Sequence, residues 1–105
     1  MLYKLGQLEL LGEVRVGLMH KSARTPEKFM YLGIYRVEIG GDGILRSVAA
    51  HGGSLEECVD KLFAQLTTLG DDLYVVIDGY RDTRRGLRWH DGLGSWVPVE
   101  EALRA

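Results

Sequence analysis

The stretch Gly53–Gly70, GSLEECVDKLFAQLTTLG, admits one local structure. Its apolar residues stand at Leu55, Cys58, Val59, Leu62, Phe63, Leu66 and Leu69. Steps of three and one keep these side chains on one face of a helix with about 3.6 residues per turn. Ser54 is placed to cap the first turn, and Glu57, three residues on, to complete a capping box. Gly70 supplies the left-handed conformation that commonly ends a helix. The rest of the chain reads as strand and turn. This helix, about residues 54–69, therefore has to close the core.

Two strands are expected over residues 2–11 and 13–19, hinged at Gly12. The second alternates clearly, with Val14, Val16 and Leu18 against Arg15, Gly17 and Met19, as in a sheet with one covered face. The first is a looser edge strand. The polar segment His20–Lys28 reads as a loop, in preference to a short helix begun at Thr25-Pro26. It leads into a strand in which Tyr31, Tyr35, Val37 and Ile39 alternate with Leu32, Ile34, Arg36 and Glu38. Gly40-Gly41-Asp42-Gly43 is a hairpin turn, since its glycines accept positive φ. A strand from Ile44 to about Ala50 is expected to pair back on Tyr35–Ile39, giving a hairpin that leads into the helix. Leu73–Ile77 is the best candidate for a central strand. Asp82–Gly86 reads as a hairpin loop, Leu87–Trp89 as part of the return strand, and Asp91–Gly94 as a further turn. Ser95–Val99 is a last short strand marked as an edge by Pro98. Glu100–Arg104 has the pattern of one helical turn.

These elements predict a single α+β domain over residues 1–105: a mostly antiparallel sheet of five to seven strands, with one principal amphipathic helix packed on one face. A helix about 10 Å wide covers two or three strands spaced about 4.8 Å apart. The remaining apolar surface must curl into a barrel, meet a second short helix near Pro26, or be buried by another copy. A homodimer is the expectation.

Net charge is −2, with +2 on residues 1–52 and −4 on residues 53–105. Neither value demands a nucleic acid or membrane partner. No apolar run approaches the ~18 residues of a membrane span. The segment MLYKLGQLELLG lacks a signal-peptide pattern, so a cytoplasmic setting is expected. The single Cys58 lies on the apolar helix face, where a thiol behaves as a small inert hydrophobe.

Candidate chemistry is sparse. His20, His51 and His90 fall on separate connections or strand ends without zinc-ligand spacing. There is no P-loop, GxSxG, HExxH or paired CxxC. Gly40–Gly43 precedes a strand and no helix, so it offers an anion no row of helical amides. Asp78, Asp82 and Asp91 are placed for acid–base or metal chemistry, but Asp beside Gly at strand ends is ordinary turn composition. We expect no catalytic residue, metal or cofactor.

The most suggestive segment is YRDTRRGLRWH. Tyr80, Arg81, Arg84, Arg85, Arg88 and Trp89 share one hairpin, the composition of interface hot spots and of stacking nucleic-acid sites. Three aspartates dilute the charge to +1 over residues 78–91, so self-pairing of arginines with aspartates, with Trp89 in the core, is the competing reading. The leading expectation is a small non-catalytic protein-binding or regulatory accessory protein, using its sheet edge or this hairpin. Compact, motif-free chains of this class occur among phage and mobile-element proteins, including inhibitors of host systems. The alternatives are a nucleic-acid-binding module, with Lys21, Arg24 and Lys28 added, and a small enzyme or metal protein around Asp78.

The hairpin followed by Gly52-Gly53-Ser54-Leu55-Glu56-Glu57-Cys58-Val59-Asp60-Lys61-Leu62 faintly resembles the small HicB-like antitoxin domains over roughly a third of the chain. The proline-containing loop before that helix and an appended DNA-binding element are missing. We assign no family on this basis.

Overall fold

The computed structural model describes residues 2–20, 28–76 and 84–99. The elements in chain order are α1 (Leu2–Glu9), β1 (Val14–His20), β2 (Lys28–Ile39), β3 (Arg46–Gly52), α2 (Leu55–Thr67), β4 (Leu73–Val76), β5 (Arg84–His90) and β6 (Ser95–Pro98). Six antiparallel strands form one curled sheet. The α+β class and the principal helix agree with the sequence. Lys21–Glu27, Asp78, Asp82 and the Glu100–Arg104 turn lie outside the described residues.

Helix α2 forms as its pattern requires. Ser54 Oγ accepts the Glu57 amide at 3.2 Å, and Glu57 Oε2 accepts the Gly53 amide at 2.9 Å. Cys58, Val59, Leu62 and Leu66 are buried against β2 and β3. Each large aliphatic side chain buried in this way contributes about 1.5–3 kcal/mol, more than the roughly 1 kcal/mol typical of a cap. The cap therefore sets where the helix begins, and the apolar face holds it on the sheet.

Three expectations fail. Arg84–Gly86, expected in a hairpin loop, begins strand β5 and pairs with β4. β3 pairs chiefly with residues 30–34 of β2, and of Tyr35–Ile39 only Val37 pairs with it. Residues 2–11 do not form an edge strand; Leu2–Glu9 is helical. Leu5, Leu8 and Leu11 recur every three residues, a helical step, and Leu8 and Leu11 are completely buried. Eight residues are too few for a stable isolated helix, so tertiary packing decides the conformation. α1 packs on α2, and Lys4 Nζ reaches Asp60 at 2.9 Å. That pair is half exposed, so the buried leucines are the stronger tether.

Strand β2 organises the sheet. Its residues 30–34 pair with β1 on one side and β3 on the other. Val37 pairs with Arg46 of β3 and Val75 of β4. β1 and β4 thus follow one another along the same side of β2. Between Ile34 and Val37 the register with β3 gains one residue, a β-bulge. Regular alternation would put Ile34 and Val37 on opposite faces. The extra residue resets the phase, and both are fully buried beneath the helices. At the bulge Arg36 adopts φ 61°, a conformation that non-glycine residues seldom adopt. The Gly40–Gly43 turn behaves as its composition predicts, with Gly40, Gly41 and Gly43 all at positive φ.

Candidate functional site

The arginine–tryptophan hairpin is only partly within the described residues; Tyr80 and Arg81 lie outside them. Arg84 pairs with Val76, Arg85 with Val75, Arg88 with Val97 and Trp89 with Trp96. Arg85 and Arg88 are three residues apart on a strand, so they occupy opposite faces. Arg85 is exposed. Arg88 forms a two-pronged pair with Asp72, at 2.8 Å from Nε to Oδ1 and 3.1 Å from Nη2 to Oδ2. The hydrogen-bonding guanidinium holds the Asp72 carboxyl below its ordinary value, and the carboxylate raises Arg88 in return. Trp89 turns toward the core, edge-on to Phe63 at 5.2 Å and to Trp96 at 5.4 Å. Its indole N–H donates to Asp91 at 2.7 Å. The partner of Arg88 is therefore Asp72, outside the hairpin, and Asp91 serves the tryptophan.

The remaining candidates within the described residues stay apart. His51 is exposed on β3, and His90 Nδ1 accepts the Leu93 amide at 3.0 Å in the following turn. Among the described residues, no three His, Cys, Asp or Glu side chains gather as a metal site. The Cys58 thiol donates to the Met30 carbonyl oxygen at 3.4 Å, and burial pushes its pKa up. That environment opposes the thiolate needed for reactivity.

Two features carry more than the hairpin does. The first is the outer edge of β1, which pairs with no strand among the described residues. Val14, Val16 and Leu18 stand opposite Ile34, Leu32 and Met30, on the face that α2 covers further along the sheet. Ile34 and Leu32 are buried, yet Val16 is 50% exposed and Leu18 67%. The helix packs mainly on β3 and β2. The edge of β6 is treated differently. Gln7 of α1 reaches it, and its Oε1 accepts from the Trp96 amide at 3.2 Å and from Ser95 Oγ at 3.1 Å. The β3 edge presents the exposed residues Ser47, Ala49 and His51, and Lys61 Nζ donates to the His51 carbonyl at 3.0 Å. The β1 edge alone combines a free strand with exposed branched apolar side chains among the described residues.

The second feature is a cleft of about 490 Å³ beside the bulge, between the α1–β1 junction, Tyr35-Arg36 and the start of β3. Arg15, Arg36 and Arg46 line it. The Arg15 guanidinium lies 4.8 Å from the Tyr35 ring centre and pairs with Glu13 at 3.3 Å. Arg46 pairs through Nη2 with Asp42, while its Nη1 is buried without a hydrogen-bond partner. The arginine pairing depresses the Asp42 carboxyl, helped by the Ile44 amide. Sequence reading missed this group because its arginines are 21 and 10 residues apart and a bulge leaves no reliable sequence mark.

The chain matches no family model, no curated protein and no solved structure. No helix among the described residues is long and apolar enough to cross a membrane.

Proposed function

We propose that this protein is a small non-catalytic binding module that works by strand addition at β1. The observation behind this reading is the β1 edge, unpaired among the described residues, with Val16 and Leu18 exposed beside it. An extended segment laid on such an edge gains main-chain hydrogen bonds, and alternate side chains supply specificity. Proteins usually protect such edges with charge, proline or a covering element. Here Gln7 serves the β6 edge and nothing comparable serves β1 among the described residues.

The simplest partner is a second copy. Antiparallel pairing about a twofold axis at Gly17 would set Val16 of one copy opposite Leu18 of the other, and Arg15 opposite Met19. That arrangement is self-complementary, as a twofold interface requires. It would join two sheets and cover the apolar strip that α2 leaves open.

Light scattering across micromolar concentrations tests this pairing. The expected mass is twice 11.7 kDa, returning to the monomer in Leu18→Lys with the circular dichroism spectrum unchanged. A monomer throughout rejects self-pairing. A photo-cross-linking residue at position 18, compared with one at 85, then tests for another partner. Cross-links confined to 85 transfer the binding role to the hairpin. Salt-sensitive nucleic-acid binding lost with Arg85→Glu overturns strand addition in favour of phosphate contact.

A further inference from the structure

We propose that the cleft beside the Arg36 bulge binds an organic carboxylate: one anionic head on an apolar body. Several observations meet there. The cavity, about 490 Å³, has the size of a small-molecule site. Its floor is a bulge, a device that re-aims side chains beside functional sites. The bulge holds Arg36 at φ 61°, and backbone strain of this kind clusters at ligand sites. Finally, Arg46 Nη1 is buried with no acceptor, and an unsatisfied buried group in a native structure calls for an explanation.

The charges select the ligand class. Arg15 is held by Glu13 and Arg46 by Asp42. No ion pair engages Arg36 among the described residues, and it is exposed at the cleft. One uncompensated positive charge matches a single negative charge. A dianionic phosphate would bring a second charge toward the Glu13 carboxylate. The planar guanidinium fork fits a carboxylate with two parallel hydrogen bonds. An anion drawing Arg46 toward the cleft would also give its orphaned N–H an acceptor. Leu45, 36% exposed, and the Tyr35 ring furnish an apolar wall for the ligand body.

The test is a titration of the isotope-labelled full chain, following the amides of Gly12, Glu13, Arg36 and Arg46 by NMR. Octanoate is the probe; octylamine and inorganic phosphate are run in parallel. The expected result is saturable movement of these amides with octanoate and with neither control. Arg36→Gly keeps a folded spectrum, because glycine accepts the positive φ, and weakens octanoate binding at least about tenfold. Equal movement with phosphate would mark a patch answering any anion and overturn the carboxylate assignment. Movement with octylamine, or undiminished octanoate binding in Arg36→Gly, would overturn it equally.

Discussion

Tyr31 lies across Gly17. The two residues are directly opposed on β2 and β1, and a Cβ on Gly17 would stand 2.2 Å from the tyrosine ring. A second pair repeats the arrangement: Tyr74 opposes Gly86, where a Cβ would stand 2.8 Å from the ring. Both pairs lie on the sheet face away from α2, and each ring covers the backbone of the neighbouring strand. Gly17→Ala must swing the Tyr31 ring away and is expected to cost about 1–3 kcal/mol. A double-mutant cycle with Tyr31→Ala under urea denaturation checks it, and the alanine should be nearly harmless once the ring is gone.

Gln7 joins the first helix to the last strand. Gln7→Leu leaves the Trp96 amide, in a 5% exposed residue, without its acceptor. The loss is expected to be about 1–2 kcal/mol. Amide exchange at Trp96 should accelerate while exchange within α2 does not. Uniform acceleration across the sheet would show that α1 and the core unfold as one unit.

Asp72 and Arg88 give a pH-dependent contribution with a definite sign. The folded-state pKa of Asp72 is depressed, so its contribution is complete above the unfolded value of about 3.9 and disappears as pH falls through the folded value. Asp72→Asn should therefore be less stable than the parent at neutral pH, with the gap closing in acid below about pH 4. Asp42 and Glu57, also depressed by cationic partners, titrate in the same sense and keep some acid sensitivity in the variant. A gap that stays constant down to acid would mean that the pair contributes nothing through charge.

Arg36 should order its substitutions by backbone conformation. At φ 61° glycine is tolerated best, alanine less well and a β-branched residue worst. Arg36→Gly is expected to be neutral or stabilising by up to about 1 kcal/mol, and Arg36→Val destabilising. Thermal melts of the three variants check the order. Equal stability for glycine and valine would remove the case for strain at the bulge.

The sequence by itself determined the elements whose stabilising interactions are local. The Ser54–Glu57 cap marks where α2 begins, and the helical spacing of its apolar residues marks the face it buries. The glycines at 40, 41 and 43 specify their turn because few other residues accept positive φ. Alternation specified β1, and the β-branched run specified β4. Tertiary structure decided the rest. Residues 2–9 became helical because Leu8 and Leu11 are buried only in that arrangement, although the local pattern is weak. The β2 register changed phase at a bulge that no local preference announces. The arginines fared likewise. Composition placed Arg85, Arg88 and Trp89 in one segment, but strand alternation and the distant Asp72 separated them. Arg15, Arg36 and Arg46, scattered in sequence, were brought to one cleft by strand pairing. Local sequence encodes what a few neighbouring residues can stabilise, whereas a site assembled across strands exists only once long-range pairing has fixed which residues meet.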